Sequence, residues 1–144
     1  MREGTKMKIS VYSLLLTSGL LLAGCQSRQP DSASCQVGSA MKQTQLWFGL
    51  SKPDGQSIST QQWQHFVDQV ITPAFPQGLS VVEARGQWLG NDGVRVSENS
   101  RGVLLIYPAS KEKSHAIDRI RTRYQQLFAQ ESVMRIDQPV CVAF

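Results

Sequence analysis

Histidine and cysteine are scarce in this sequence, with two and three residues respectively among 144. His65 and His115 fall on different segments. No cysteine or carboxylate stands at ligand spacing from either, so no metal centre is expected. No two cysteines have the Cys-x-x-Cys spacing of a redox site. The nucleophile elbow, the P-loop and the dinucleotide fingerprint are missing as well. Gly86 and Gly90 bracket a short stretch that no helix follows, which excludes a phosphate loop there. No cofactor is implied. Charge is also lean: Asp, Glu, Lys and Arg make up 18% of the chain and the net charge is +4, which is no nucleic-acid footprint. Long apolar runs are absent. Residues 11–22 are Leu-rich but fall short of the roughly 20 residues that cross a bilayer.

That short run has a different use. Arg2, Lys6 and Lys8 precede it against Glu3 alone, and Leu22-Ala23-Gly24-Cys25 follows it. A basic start, a short apolar middle and small residues before a cleavage point describe a secretory signal. Met7 would serve as a start equally well. The four residues 22–25 resemble the lipobox of bacterial lipoproteins. The resemblance implies cleavage before Cys25 and a diacylglycerol on its thiol; the alternative is an ordinary cleaved signal with an incidental cysteine. Two or three acyl chains, at about 0.8 kcal/mol per buried methylene, make such an anchor effectively permanent. The expected organisation is a signal at residues 1–24, a lipidated N-terminus and flexible tether at 25–42, and one domain at 43–144. Gln26 stands where retention in the inner membrane uses Asp. The expected address is therefore the outer membrane facing the periplasm, if the cell is Gram-negative.

Cleavage alters two counts. The signal holds three of the 15 basic residues and one of the 11 acidic ones, leaving 12 against 10. With Cys25 taken by lipid, Cys35 and Cys141 remain. An even pair outside the cytoplasm points to a disulfide, with two free thiols as the alternative. A bridge closing so long a loop contributes about 4–5 kcal/mol by chain entropy.

The domain reads as alternating elements. Residues 44–50 form an apolar, aromatic first strand, and Pro53, Asp54 and Gly55 the turn after it. Ser59 is a helix N-cap with Gln62 as its capping-box partner, and Ile58 and Trp63 make a hydrophobic staple. Trp63, Phe66, Val67, Val70 and Ile71 share one helical face, which Pro73 and Pro76 close. Residues 79–89 and 94–107 are strands joined by a hairpin turn at 90–93, with a bend or bulge expected at 99–102. A second helix spans 111–129, with Ile117, Ile120, Tyr124, Leu127 and Phe128 inward and Arg119, Arg121 and Arg123 outward. Residues 133–136 and 140–144 make the last strand, where Pro139 argues for a sheet edge. The order β-α-β-β-α-β is the ferredoxin-like α+β pattern. Right-handed crossovers then give a four-stranded antiparallel sheet ordered 4-1-3-2 with both helices on one face. That topology sets Cys35, ahead of the first strand, beside Cys141 near the end of the last.

Several segments carry a resemblance: residues 46–56, Trp63 to Ala84 around Thr72-Pro73-Ala74-Phe75-Pro76, Arg85-Gly86-Gln87-Trp88, 130–133, and Pro139-Val140-Cys141. Together they resemble bacterial proteins of domain-of-unknown-function family 3574 over about residues 43–144. The resemblance implies a recurring domain, often behind a secretion signal, and brings no catalytic residues.

One cluster has a geometric basis. The turn after the first strand, the end of the second and the hairpin share one end of the sheet, which gathers Lys52, Asp54, Arg85, Gln87, Trp88 and Arg95 as candidate binding residues. Alternation puts Val82, Ala84 and Trp88 under the helices and leaves Arg85 and Gln87 on the open face, where a cation and an amide suit an anionic or peptide group. The plainer alternative has Trp88 in the core, Arg85 paired with Glu83 or Glu98, and Asp54 making the turn. The expected function is a binding or interaction module at the envelope, held to the membrane by lipid and meeting a second copy or another envelope protein. A small cofactor-free enzyme of dimeric ferredoxin-like type and a structural envelope protein are the alternatives.

Overall fold

The computed structural model describes residues 35–89 and 93–144. The signal segment, Cys25, most of the tether and Gly90 to Asp92 of the hairpin turn lie outside the described residues. Strands β1 (Ser39–Gly49), β2 (Ser80–Leu89), β3 (Arg95–Tyr107) and β4 (Met134–Val142) form one sheet in the order β2-β3-β1-β4. Every neighbouring pair is antiparallel. Helix α1 (Thr60–Phe66) runs through a π-helical stretch (Val67–Ile71) into a short α2 (Thr72–Ala74), and α3 (Lys111–Phe128) follows β3. This is the expected ferredoxin-like α+β arrangement.

Local chemistry accounts for the element boundaries. Ser59 Oγ accepts from the Gln62 N–H at 3.2 Å, and Gln62 Oε1 accepts from the Ser59 N–H at 3.0 Å, which completes the capping box. Ser110 caps α3 through the Lys113 N–H. Ala129, in the left-handed conformation, ends that helix. Pro73 does not close the first helix as expected. It sits in the last helical turn, and Phe75 ends the helix. Inside an α-helix a proline ring meets the carbonyl four residues back. The π stretch just before it sends the Thr72 N–H to the Val67 carbonyl, five residues back, and so opens the backbone ahead of the ring.

Three strand expectations are corrected. β1 begins at Ser39, inside the expected tether, because residues 39–41 pair with Val142, Cys141 and Val140. No bulge interrupts 99–102, since β3 keeps a continuous register with both β1 and β2. β4 is one strand through Pro139, whose missing N–H is tolerated because β4 is an edge. Cys35 and Cys141 are bonded, with Cα atoms 5.5 Å apart and a sequence separation of 106.

The core lies between sheet and helices. Leu46, Phe48, Val103, Leu105 and Tyr107 face inward from the central strands, against Trp63, Phe66, Ile71, Ile117, Ile120 and Tyr124. Phe48, Trp63, Phe66, Tyr124 and Phe128 pack mostly edge to face, with Phe48 and Tyr124 centroids 4.7 Å apart. Leu127, expected inward, is half exposed at the helix flank. No helix among the described residues is long and apolar enough to cross a membrane.

Candidate functional site

The parity of β3 decides which side chains meet which face. Val103, Leu105 and Tyr107 point into the core, so Arg95, Ser97, Asn99 and Arg101 share their side. Register then places Val81, Glu83, Arg85, Gln87 and Leu89 of β2 on that same helix side. Val82, Ala84, Gly86 and Trp88 stand on the open face. The expected assignment is therefore reversed. Trp88 is not core: it is 48% exposed, and Val82 is 50% exposed. The reason is that apolar residues occupy both faces of this sheet, so alternation in β2 alone does not say which side is covered.

The open face is nearly free of charge. From β1 it receives Met41, Gln43, Gln45 and Trp47, and from β4 Met134, Ile136, Gln138 and Val140. β3 adds Val96, Glu98, Ser100, Gly102, Leu104 and Ile106. Glu98 is the sole ionisable group there among the described strands, and its Oε1 accepts from the Ser51 N–H at 2.8 Å. Gly102 is fully enclosed; a Cβ on it would come within 2.8 Å of Val82 Cγ2 and 2.9 Å of Trp47 Cζ3. The bare backbone lets those two side chains close over β3 and lie flat. Val82, Trp88, Val96, Met134 and Ile136 remain solvent-exposed.

Charges collect instead on the helix side. Tyr107 donates to Thr44, and the Thr44 hydroxyl donates to Asp137 Oδ1. Arg135 binds Asp137, Asp118, and both the carbonyl and hydroxyl oxygens of Ser114. Burial alone would raise the two carboxyls. Hydrogen bonds from Thr44 and Arg135 to Asp137, and from Arg121 and Arg135 to Asp118, outweigh it and hold both below the usual carboxylate range. This network fastens β4 to α3.

The second concentration of polar groups lies beyond the end of β1, where β2 and β3 continue as a two-stranded ribbon. A cleft of about 520 Å³ opens there, with Leu50 and Ile58 on one wall and Glu83, Arg85, Asn99 and Arg101 on another. Arg85 Nε donates to Ser97 Oγ at 2.9 Å. It pairs with neither Glu83 nor Glu98. Asp54 accepts from the Gln56 N–H and makes the turn. Of the six candidate binding residues, only Arg85 lines this cleft; Lys52, Asp54, Gln87, Trp88 and Arg95 do not. Arg101, which sequence reading missed, is its principal cation. It stands one step along the inward row Val103, Leu105, Tyr107, and an arginine closing an apolar row is the signal that could have found it. A larger groove of about 920 Å³ runs along α3 past Glu112, His115, Arg119 and Arg123 and mixes both charges. His65 and His115 are exposed. No group of three His, Cys, Asp or Glu side chains among the described residues could hold a metal ion.

The family model for a protein of unknown function, DUF3574, matches residues 43–144. The chain belongs to the DUF3574 family. No curated protein matches it. Among solved structures it is similar to a phage SAM lyase in complex with S-methyl-5'-thioadenosine, with a TM-score of 0.56 at 18% identity, over 76% of this chain and 95% of that one. The same is true of a phage SAM lyase in the apo state, with a TM-score of 0.55 at 20% identity, covering 77% and 97%. At these identities the likeness is one of fold, so for a DUF3574 domain the chemistry has to be argued from its own residues.

Proposed function

We propose that this domain is an interaction module, displayed outside the cytoplasm on a lipid at Cys25, whose open sheet face pairs with the same face of a second copy. The observation that carries the reading is the segregation of charge: among the described residues, the open face holds apolar and neutral polar side chains with Glu98 as its one ionisable group. Solvated sheet faces alternate with polar and charged residues, whereas strands covered on both sides read as continuous apolar runs. Leu46-Trp47-Phe48 and Val103 to Tyr107 are such runs. Four strands of about ten residues present roughly 600 Å² per copy, and a pair then reaches about 1,200 Å², the lower edge of specific interfaces. With so little charge on the face, bringing two copies together sets almost no like charges against one another. Sedimentation of the full chain in detergent tests this. A dimer that becomes a monomer in the Val82→Lys/Ile136→Lys variant is expected; a monomer at every concentration, or a dimer indifferent to those changes, overturns the pairing.

A second reading, a small enzyme, is favoured by the cleft beside Arg101 together with the fold shared with phage SAM lyase. Formation of S-methyl-5'-thioadenosine from S-adenosylmethionine by the full chain is its test, and no turnover above a blank rejects that reaction.

A further inference from the structure

The cleft beyond the end of β1 contains an unfinished hydrogen-bonding group. Arg101 is held by two contacts and by burial. Its Cζ stacks 5.4 Å from the centre of the Trp63 ring, its side chain is only 14% exposed, and its Nη2 donates to Glu83 Oε1 at 3.2 Å. Nε is buried and has no partner, the one such side-chain atom among the described residues. Nε and Nη2 share one edge of the guanidinium and form the fork that takes both oxygens of a carboxylate or phosphate. Glu83 occupies one tine of that fork from a side chain that is 82% exposed. A buried donor left without an acceptor is costly, so the fork is half satisfied.

The surroundings suit an incoming anion. Arg85 sits on the adjacent strand, diagonal to Arg101 across the Glu83–Arg101 and Arg85–Asn99 pairs. Its Nε is committed to Ser97, which fixes the side chain over the ribbon. Two guanidiniums therefore face one carboxylate around the cleft. Asn99 and Thr60 add neutral donors, and Leu50 and Ile58 supply an apolar wall. The volume, about 520 Å³, is that of a small-molecule site.

We propose that this cleft is a binding site for a small oxyanion, a carboxylate or phosphate group carried on a compact, partly apolar molecule. Its oxygens bind the Nε/Nη2 edge of Arg101, with Arg85 as the second cation. Glu83 acts as an internal occupant that the ligand displaces from the fork. The site lies on the helix side of the sheet, so it stands or falls independently of pairing through the open face.

Titration of the full chain in detergent, labelled with 15N and followed at the Arg101 Nε–H resonance, tests it with butyrate and with inorganic phosphate as separate probes. A saturable shift with a dissociation constant on the order of 1 mM is expected for at least one probe. The probe that binds more tightly names the group. Glu83→Gln takes the charge off the competitor and is expected to tighten binding by about tenfold, while Arg85→Ala loosens it by a similar factor. Both residues are exposed, so neither change threatens the fold. Shifts that rise linearly without saturation for both probes overturn the proposal. So does binding that Glu83→Gln and Arg85→Ala both leave unchanged.

Discussion

The hydroxyl of Tyr124 donates to the carbonyl of Gly49 at 2.7 Å, and so ties the C-terminal part of α3 to the last residue of β1. Tyr124 is fully buried among Phe48, Trp63, Phe66 and Phe128. Tyr124→Phe keeps the ring packing and strands the Gly49 acceptor. A loss of about 1–2 kcal/mol in urea unfolding is expected. Burial first, and then the nearby Glu98 charge, push the phenol well above its ordinary range, with Arg101 partly opposing. The folded state therefore favours the protonated phenol. Its contribution is complete below about pH 10, the ordinary tyrosine value, and is lost as pH climbs toward the folded value. The Phe variant should lack this part of the alkaline loss, which thermal melts between pH 9 and 11 would reveal as a smaller fall in Tm.

Acid acts on the network between β4 and α3. Asp118 and Asp137 are held below the usual carboxylate range, so their contribution is present above about pH 4 and disappears as pH falls through the folded values. Asp137→Asn keeps an acceptor for Thr44 but loses the charge facing Arg135 and Lys42. Its melting temperature should sit below that of the natural chain at pH 7, and the two should converge as pH drops toward 3.

Gly102→Ala tests the packing of the open face. A methyl group there meets Val82 and Trp47 inside van der Waals distance, and overpacking of this kind costs about 1–3 kcal/mol. Val82→Ala removes the nearer obstacle. The double variant should regain part of the loss, and a double-mutant cycle in urea that shows simple additivity would mean the two side chains do not compete for that space.

Reduction of the Cys35–Cys141 bond frees a loop of more than a hundred residues. Chain entropy sets the expected loss at about 4–5 kcal/mol. Comparing urea midpoints with and without dithiothreitol measures it. A Cys35→Ser/Cys141→Ser variant should match the reduced protein rather than the oxidised one.

Element order, the helix start at Ser59 and the disulfide were all legible in the residues, because each rests on a local rule or on parity. Face assignment was not. Val81 and Val82 are both apolar and both exposed, because β2 lies at the sheet margin where neither face is deeply covered, so alternation does not say which of them turns toward the helices. Arg101 was hidden for a related reason. Residues 99–102 carry Asn, Ser and Gly, which read as a break in the strand. Continuous pairing to strands on both sides outweighs those weak preferences. The π stretch before Pro73 has no sequence rule simple enough to foresee it.

The bond between Cys35 and Cys141 makes the domain a covalent ring. Helices α1, α2 and α3 and strands β1, β2 and β3 lie wholly within it, and only the last residue of β4 falls outside. A protease that cuts once anywhere from residue 36 to residue 140 therefore releases nothing. Both fragments stay joined through sulfur to whatever holds the chain ahead of Cys35, and only reduction lets them part.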